Sequence, residues 1–303
     1  MELRDIEYFA VVAEHGHLGR AAEALGLSTP ALSKCLRRLE QSLQAKLVKR
    51  TPKGVELTAE GSALLLHVRE LRLSLQDVVR EIADLSQGRV GHLLIGTGPT
   101  IAEDMLPPAC TALLKDAPKL SLKISVSDNY WMLPALRNGE LDIIVNYLPP
   151  MVPEGLVQEH LIYDEYVVCA SADHRLASQE KVTLADLTGE RWALTEQLLT
   201  SQQSLRRAFQ DRGLPPPRVA IETRSVRLKL RSVASSDLLD FTSRHVVQQA
   251  AKSYRLAVLP VKELESTFRR SVGVIYREGG YLSPAGRRFI EILKATAKEI
   301  GEE

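Results

Sequence analysis

Apolar residues near the start of the chain recur at helical spacing in three short runs. The first run, residues 3–14, stops at Gly16, and the second, residues 20–25, stops at Gly26. Glycine is suited to the left-handed conformation that ends many helices. The third run begins after Ser28, whose hydroxyl can accept a hydrogen bond from a helix N-terminus. The pattern therefore predicts three consecutive helices.

The third predicted helix has one apolar face and one polar face. When each residue advances by the angle of a regular helix, the apolar residues fall within about 100° of arc. These residues are Leu32, Cys35, Leu36, Leu39 and Leu43. The residues on the opposite side are Pro30, Ser33, Lys34, Arg37 and Gln41. The first face is typical of a packed core, and the second is typical of a surface that meets a polar partner.

Positive charge is concentrated in this part of the chain. The whole protein has 39 Lys and Arg against 38 Asp and Glu, so its net charge of +1 offers no global attraction to nucleic acid. Residues 29–53 contain seven basic residues and one acid, a local balance of +6. A turn at residues 51–54 then joins the strand-like runs 46–50 and 54–58. A solvated face would explain a single basic helix, but the whole arrangement predicts a helix-turn-helix with a wing that meets DNA.

The run FAVVAEHGHLGRAAEALGLSTPALSKCLRRLEQSLQAKLVKRTPKGVELTAEG resembles the winged helix-turn-helix of LysR-type transcriptional regulators, and the match covers residues 3–61. Two positions depart from the family pattern: Gly19 replaces a hydroxyl residue, with loss of a phosphate contact, and Val48 replaces Phe. The resemblance implies that a set of matching positions faces double-stranded DNA. These are Arg20, Thr29, Pro30, Ser33, Lys34 and Arg37 in the helices and Lys49, Arg50 and Lys53 in the wing.

A long helix is predicted to follow, capped by Thr58 and running to about Gln87 before Gly88. Its apolar residues alternate in steps of four and three. They are Leu64, Val68, Leu71, Leu75, Val78, Ile82 and Leu85. Such a heptad seam favours a partner helix over burial against the same chain, because about 30 helical residues extend roughly 45 Å. We therefore expect a homodimer or homotetramer, with two recognition helices on an inverted-repeat operator.

Strand-like runs alternate with helical stretches from His92 onward, which is typical of an α/β fold with parallel sheets. The predicted helical stretches are residues 104–115, 129–138, 202–212 and 284–299. The family resemblance implies a winged helix-turn-helix domain (1–58), a linker helix (59–88) and a periplasmic-binding-protein-like effector domain (91–303). It further implies that the effector domain has two subdomains, 91–162 with 268–303 and 163–267, joined by crossings near 162–164 and 267–271.

A ligand cleft in such a fold lies beyond the carboxyl ends of the strands, where hydroxyls and backbone N–H groups suit an anion. Each hydroxyl taken alone could equally be a helix cap. The predicted effector-binding residues are Thr97, Gly98, Pro99, Thr100, Ser127, Asp128, Asn146, Thr195, Gln202, Gln203, Thr223 and Arg224. Asp237 and Asp240 lie where many relatives have a glycine-rich turn, and we expect them to make the cleft rim negative. This favours a hydroxylated ligand, or a monoanion held by Arg224, over a polyanion.

Other classes of protein have little support. The run GTGPTI starts like a dinucleotide fingerprint but has Ile101 at the third glycine position, and no HExxH, GxSxG or P-loop occurs. The pair His15 and His17 suits turn chemistry better than a metal site. Cys35, Cys110 and Cys169 form no paired motif, which favours a reducing cytoplasm. We expect no enzyme, cofactor, metal or membrane span.

The predicted function is a sequence-specific, DNA-binding transcriptional regulator controlled by a small-molecule effector bound between the two subdomains. The family resemblance also admits RNA polymerase as a partner. The alternative is a ligand-binding or architectural protein whose head only tethers it to DNA without sequence preference. A protected site with dyad symmetry distinguishes the first function from the second.

Overall fold

A computed structural model of the protein describes residues 2–52, 54–87, 91–196, 200–264 and 268–302. The chain divides into two units, Met1–Ala83 and Asp84–Glu303. Each unit has its own cluster of buried apolar side chains. In these ranges, no helix combines the length and the apolar character that crossing a lipid bilayer requires.

The first unit consists of three short helices, a two-stranded hairpin and most of a long helix. In chain order the elements are α1 (Leu3–His15), α2 (Leu18–Ala24), α3 (Thr29–Leu43), β1 (Val48–Thr51), β2 (Gly54–Leu57) and α4 (Ala59–Gln87). The hairpin strands pair antiparallel, with Val48 opposite Leu57. The order of these elements confirms the predicted winged helix-turn-helix followed by a long helix.

Local capping residues explain most of the helix boundaries. Gly16 ends α1 in the left-handed conformation at φ 60°. Ser28 caps α3, because its side chain accepts the N–H of Ala31. The Thr58 hydroxyl accepts the N–H of Gly61 at 2.9 Å and caps α4 in the same way. These three predictions are confirmed.

Helix α2 begins before its predicted start at residue 20. The Nδ1 atom of His17 accepts the Gly19 N–H at 3.1 Å, so His17 is the N-cap and the helix starts at Leu18. The role of this histidine in turn chemistry is therefore confirmed. The glycine at position 19 lies inside the first turn and is not the cap.

The apolar face of α3 packs into the core of the first unit. Leu32, Leu36 and Leu39 are buried, as predicted. Cys35 is half-buried, and Leu43 at the helix end remains 38% exposed. The opposite face of α3 is thereby turned toward solvent.

The hairpin is fixed against the turn between the first two helices. The Val55 N–H donates to the Gly16 carbonyl at 2.8 Å. Gly54 has φ 137°, and a Cβ atom there would lie 2.2 Å from the same carbonyl oxygen. Only glycine permits both this backbone conformation and this close approach. The wing therefore has a defined position relative to α1 and α2.

The second unit is an α/β body. Its strands are β3 (His92–Thr97), β4 (Ser121–Val126), β5 (Ile143–Tyr147), β6 (Leu156–Ser171), β7 (Arg191–Leu194), β8 (Arg218–Glu222), β9 (Asp240–Ser243), β10 (Leu256–Val258) and β11 (Arg269–Arg277). Its helices are α5 (Pro99–Glu103), α6 (Leu106–Asp116), α7 (Asn129–Arg137), α8 (Thr200–Gln210), α9 (Val226–Ala234), α10 (Arg244–Ala251) and α11 (Pro284–Glu302).

One long strand, β6, connects the halves of this body. The large sheet has the order β10-β6-β11-β5-β3-β4, and β9 also pairs with β6. The first part of β6, residues 156–165, pairs with β11, and the last part, residues 166–171, pairs with β9 and β10. The change of partners lies close to the predicted first crossing. The predicted second crossing begins at residue 267, which lies outside the described residues.

The prediction of parallel sheets is only partly confirmed. Strands β3, β4 and β5 are parallel, as are β7 and β8. The prediction is wrong for β6, β9, β10 and β11, which form antiparallel pairs. These strands run in the direction opposite to their neighbours, and the hydrophobic pattern along a strand does not specify its direction in the sheet. The α/β class is confirmed, while the subdomain boundaries remain predictions.

The predicted helix over residues 104–115 is confirmed as helix α6, which begins two residues later and ends one residue later than predicted. Helix α5 ends at Glu103, and α6 begins at Leu106 with two prolines in its first turn. Proline is tolerated there because the first N–H groups of a helix have no partner within it. The predicted stretches near 129–138, 202–212 and 284–299 are confirmed as helices α7, α8 and α11, with shifts of one to three residues at their ends.

Candidate functional site

The polar face of α3 forms the exposed surface that was predicted to meet DNA. Thr29, Pro30, Lys34 and Arg37 are exposed, and Ser33 is half-buried. They lie opposite the buried leucines of the same helix because the polar and apolar positions alternate with the helical period. The structure therefore presents all five predicted α3 residues together on one side of the winged helix-turn-helix, the head of the protein (residues 2–57).

Two basic residues of the segment 29–53 are paired with acids of the first unit. The Arg38 Nε donates to the Asp5 Oδ2 at 2.7 Å, and the Asp5 carboxylate is fully buried. The Lys46 Nζ lies 2.9 Å from the Glu40 Oε2. The hydrogen bond and charge of Arg38 lower the pKa of Asp5. Burial raises the pKa of Glu40, but bonds from Lys46 and the Leu47 N–H outweigh it and lower the pKa. Arg38 and Lys46 thus stabilise the head itself.

The remaining described cations of this region are exposed. No carboxylate lies within 4 Å of Lys34, Arg37, Lys49 or Arg50 among the residues that the structure describes. Arg50 links the wing to α3, because its Nη2 donates to the Ser33 hydroxyl at 3.2 Å. These cations therefore form an uncompensated positive surface across α3 and the wing.

Arg20 and Lys53 complete the set of predicted DNA-contacting residues. Arg20 is exposed on α2 and donates to the His15 carbonyl at 2.9 Å, which places its guanidinium at the end of α1. Lys53, predicted to serve the wing, lies outside the described residues.

The apolar seam of α4 is covered only at its start. Val68 is 3% exposed and packs in the core of the head, as Leu64 does in part. The next five seam residues are between 40% and 80% exposed. These are Leu71, Leu75, Val78, Ile82 and Leu85. Exposed apolar residues in a continuous row indicate a surface that a partner covers.

A cavity of about 470 Å³ lies in the second unit, where the loops that follow β3, β4, β7 and β8 meet the end of β5. Eight of the predicted effector-binding residues line it. They are Gly98, Pro99, Thr100, Ser127, Asp128, Asn146, Thr195 and Arg224. The parallel strands end at this edge, which explains why residues from several distant loops come together.

The other four predicted residues lie outside the cavity lining. Thr97 is fully buried, and its hydroxyl donates to the Val145 carbonyl at 2.9 Å. The Thr223 hydroxyl accepts the Ser225 N–H at 3.2 Å. Gln203 is on the exposed side of α8. Gln202 is buried in the same helix, and its amide has no hydrogen-bond partner among the described residues.

Hydrogen bonds hold one wall of the cavity in place. The Asn146 Nδ2 donates to the Asn129 Oδ1 at 2.8 Å, and the Asn129 Nδ2 donates to the Tyr147 carbonyl at 2.9 Å. A Cβ atom on Gly98 would lie 2.4 Å from the Asn146 Oδ1, so a larger residue there would displace the Asn146 side chain. The wall therefore has little freedom to rearrange.

Arg224 already has two acidic partners. Its Nε donates to the Glu196 Oε1 at 2.8 Å, its Nη2 donates to the Glu196 Oε2 at 2.7 Å, and the Asp128 Oδ2 lies 3.3 Å away. The hydrogen bonds and charge of Arg224 lower the pKa of Glu196. The expectation that Arg224 holds a monoanion is therefore wrong for this arrangement, because two carboxylates occupy its guanidinium.

The expected negative rim is also wrong. Asp240 is fully buried, and the Lys229 Nζ lies 2.8 Å from its Oδ1 and 3.0 Å from its Oδ2. Burial raises the pKa of Asp240, although Lys229 opposes this. Asp237 is paired with Arg191 at 2.7 Å and does not line the cavity. Neither acid contributes a free charge to the cleft.

The inner wall of the cavity is aromatic and carries one arginine. The guanidinium carbon of Arg270 lies 3.9 Å from the centre of the Tyr147 ring and 5.9 Å from that of Tyr166. Tyr166 in turn packs against Phe241, with ring centres 5.4 Å apart. The Thr195 hydroxyl is buried without a hydrogen-bond partner among the described residues. This wall suits a ligand with an apolar body and a few polar groups.

Ten lining residues were missed by the sequence analysis. They are Asn129, Tyr130, Tyr147, Tyr166, Ser201, Val226, Lys229, Phe241, Thr242 and Arg270. Several come from the antiparallel strands β6, β9 and β11, whereas the prediction considered loops after parallel strands. Asn129, Tyr130 and Tyr147 could have been predicted, because they lie in the loop 127–130 and the strand 143–147 beside residues that were predicted. Within the described ranges, no three His, Cys, Asp or Glu side chains are arranged to hold a metal ion.

Comparisons with known proteins cover both units. The family model "Bacterial regulatory helix-turn-helix protein, lysR family" matches residues 3–62, and the model "LysR substrate binding domain" matches residues 86–298. The transcriptional regulator GbpR of Azospirillum brasilense is 29% identical over 299 residues, covering 98% of this chain and 87% of the relative. The dual regulator OxyR of Escherichia coli (strain K12) is 29% identical over 302 residues, covering 97% and 95%.

Solved structures share the fold over almost the full length. Full-length CbnR, crystallised with its target DNA, has a TM-score of 0.53 at 21% identity, covering 98% of this chain and 100% of that one. A full-length OxyR variant from Pseudomonas aeruginosa has a TM-score of 0.60 at 24% identity, covering 98% and 95%. At these identities the likeness concerns the fold.

Proposed function

Because this chain belongs to the LysR family of bacterial regulatory helix-turn-helix proteins, we propose that it controls transcription by binding a specific operator through α3 and the wing. Proteins of this family are DNA-binding transcriptional regulators with an effector-binding domain, and the chain carries both parts. The proposed DNA-contacting residues are those predicted from the sequence. They are Arg20, Thr29, Pro30, Ser33, Lys34, Arg37, Lys49, Arg50 and Lys53.

The main support for this proposal is that only some cations of the head are paired with acids. Arg38 and Lys46 neutralise buried or nearly buried acids, whereas Lys34, Arg37, Lys49 and Arg50 have no acidic partner among the described residues. A surface of unpaired cations beside the exposed end of a recognition helix is suited to duplex DNA. Lys34 and Arg37 lie on the helix and are assigned to base edges, and the wing cations are assigned to phosphates.

The exposed seam of α4 supports a homodimer or homotetramer. Two copies that pair along α4 would bring two recognition helices to the same duplex, and a twofold axis would match an inverted-repeat operator. The alternative, a head that tethers the protein to DNA without sequence preference, needs no such geometry.

The second unit supports control by a small molecule. Eight of the proposed effector-binding residues line the cavity, and its volume lies within the range of roughly 300–1,000 Å³ typical of small-molecule sites. We retain Thr97, Gln202, Gln203 and Thr223 as residues that support this lining. A ligand that binds one arrangement of the cavity loops more tightly shifts the protein toward that arrangement.

We assign the protein to the cytoplasm, because a regulator must reach bacterial DNA there. We also assign it no enzymatic activity, because the family to which it belongs consists of regulators and the cavity wall is explained by ligand binding.

Selection from a random-sequence duplex library tests the DNA assignment. We expect the wild-type protein to enrich a site with dyad symmetry. Arg37→Ala should weaken binding to that site by about 1–3 kcal/mol and blur its sequence preference. Arg50→Ala should weaken binding to the site and to random DNA alike, and should reduce the salt slope by about 0.9.

Lys115→Ala is a suitable control, because it removes one exposed positive charge from α6 in the other unit. It should leave both affinities unchanged. Enrichment of no sequence by the wild type would favour the tethering alternative. A loss confined to the selected site in Arg50→Ala would show that the phosphate assignment is wrong.

A further inference from the structure

We propose that the effector is a small organic monocarboxylate whose carboxylate binds Arg270. This inference rests on the proposed function of the cavity as an effector site and names the chemical class of its ligand. Four observations lead to it: the pairing of every other charged group in the lining, the stacking of Arg270, the aromatic inner wall and the acids at one end of the cavity.

The cations that line the cavity are paired with acids except at one point. Asp128, Arg224, Lys229 and Arg270 are its four charged lining residues. Arg224 is bound by Glu196 and Asp128. Lys229 is bound by both oxygens of Asp240, which lies outside the lining. Arg270 has no carboxylate within 4 Å among the described residues. Among the described residues that line the cavity, Arg270 is thus the single cation without an acidic partner.

The surroundings of Arg270 hold it in one orientation. Its guanidinium carbon lies 3.9 Å from the centre of the Tyr147 ring. The Tyr147 hydroxyl donates to the Asp164 Oδ2 at 2.6 Å, and the Ser243 hydroxyl donates to the Asp164 Oδ1 at 2.8 Å. The tyrosine ring is thereby fixed from behind. A guanidinium that lies over the face of a fixed ring is held by the ring, and its N–H groups can still donate to a ligand.

The chemistry of an orientated guanidinium favours a carboxylate. Its planar N–H groups match the two oxygens of a carboxylate, and such paired, charge-assisted hydrogen bonds are stronger than neutral ones. Arg270 is half-buried, so solvent competes less for it than for an exposed arginine. No hydrogen bond joins Arg270 to another described side chain. A ligand carboxylate would provide this missing partner.

The rest of the lining limits the ligand to one negative charge and a compact body. Tyr166, Phe241 and Val226 present apolar surface to the cavity. Asp128 and Glu196 together exceed the single charge of Arg224, so that end of the cavity disfavours a second carboxylate. A dicarboxylate would therefore place one charge near these acids, and a neutral amide would leave Arg270 without its ion pair.

Matched pairs of acids and amides test this inference on the full-length protein. The probes are acetate, benzoate and cyclohexanecarboxylate, their primary amides, and the dianions succinate and phthalate. We expect at least one monocarboxylate to raise the melting temperature in a concentration-dependent manner, while its amide and the dianions do not. For that acid, calorimetry should show a roughly 10- to 100-fold weaker Kd in Arg270→Gln.

Arg269→Gln provides the matched control. Arg269 is the preceding residue of β11, and its guanidinium carbon lies 4.3 Å from the Tyr163 ring centre, but it does not line the cavity. This variant removes the same charge and the same kind of stacking, and it should bind the acid as the wild type does. Equal binding by Arg270→Gln and Arg269→Gln would overturn the proposal.

Two other results would also overturn it. One is an amide or a dianion that binds as tightly as the monocarboxylate. The other is a panel in which no monocarboxylate stabilises the wild type more than it stabilises Arg270→Gln. The library selection keeps this test separate from the proposed function. Neutral compounds that change operator binding would contradict the ligand class alone, whereas carboxylate binding without any enriched DNA site would contradict the regulatory function alone.

Discussion

Arg37 and Arg38 are neighbours in the chain and have different surroundings. Arg37 is exposed on the polar face of α3, while Arg38 reaches back to the buried Asp5 of α1. One residue step along a helix turns a side chain through about 100°, which is enough to separate a side chain that faces solvent from one that reaches α1. The chemical identity of a side chain therefore does not decide its role in this head. The element that it faces does.

The ion pair between Lys229 and Asp240 also shows that the neighbours of a side chain decide its role. Both side chains are almost fully buried, at 2% and 0% exposure. Two charges in such a place stabilise the fold only together, because either one alone remains desolvated without a partner. Lys229 lines the cavity and neutralises Asp240. Asp240, which was expected to repel anions, therefore has no such effect.

Lys229→Met should lower the free energy of unfolding by about 3–5 kcal/mol, because it leaves Asp240 buried without its cation. Urea denaturation measures this change. Burial raises the pKa of Asp240, and loss of Lys229 should raise it further. The folded variant then binds a proton more readily than the unfolded chain, whose carboxyl titrates near 3.8. Its deficit should therefore be largest at neutral pH and shrink as the pH falls toward this value.

The control for this variant is Arg227→Met, an exposed residue of the same helix. It should leave the unfolding midpoint unchanged. The double variant Lys229→Met with Asp240→Leu should regain most of the lost stability, because neither charge remains buried. A deficit in Lys229→Met that does not vary with pH would contradict the role given to Asp240.

At the scale of elements, the helix α4 has two parts with different surroundings. Its first turns pack against the head through Val68 and Leu64, whereas the seam from Leu71 to Leu85 is exposed. A continuous apolar seam at steps of four and three is a pattern for helix pairing. The family to which the chain belongs supports the second copy as the partner.

Leu75→Asp should abolish dimers, because it places a charge in the middle of the seam. Operator affinity should fall with dimerisation, since each head alone contacts only one half-site. Sedimentation velocity measures the first effect, and a binding titration measures the second. Gln76→Asp is the matched control: it adds the same charge at the next residue, which is exposed and outside the seam. A dimeric Leu75→Asp variant would rule out the seam as the interface.

At the scale of the whole molecule, contacts between distant parts of the chain shape the cavity. Arg224 follows β8, Glu196 follows β7 and Asp128 follows β4, so one guanidinium joins three loops of the second unit. All three side chains are partly exposed. Exposed ion pairs contribute little to global stability, but they can hold loops near a ligand site.

Arg224→Gln should therefore change the melting temperature little, while the loops it joins open more often. Hydrogen exchange of the backbone amides at residues 128–131 and 223–226 should become several-fold faster, and exchange in the core strand β5 should stay the same. Arg231→Gln, an exposed arginine of α9, is the control. Unchanged exchange in both loops would show that the three-residue contact does not restrain them.

The local features of this protein follow from residues that are close along the chain. The caps at Ser28 and Thr58 and the two faces of α3 depend on residues that are close along the chain, so helical periodicity and hydrogen-bonding chemistry were enough to predict them. The family motif predicted the wing, and the pattern of strand-like runs predicted the α/β class. Eight cavity residues were predicted because they follow strands whose carboxyl ends meet.

Which charges remain unpaired depends on contacts that form only in the folded chain. Arg38 and Asp5 are 33 positions apart, and Arg270 meets Tyr147 from a strand more than a hundred residues away. The antiparallel strands β6 and β11 bring Arg270 into the cavity, and β9 places Asp240 out of it. A charge acts on a ligand only where no opposite charge has neutralised it, and that depends on neighbours in space that the order of residues does not specify.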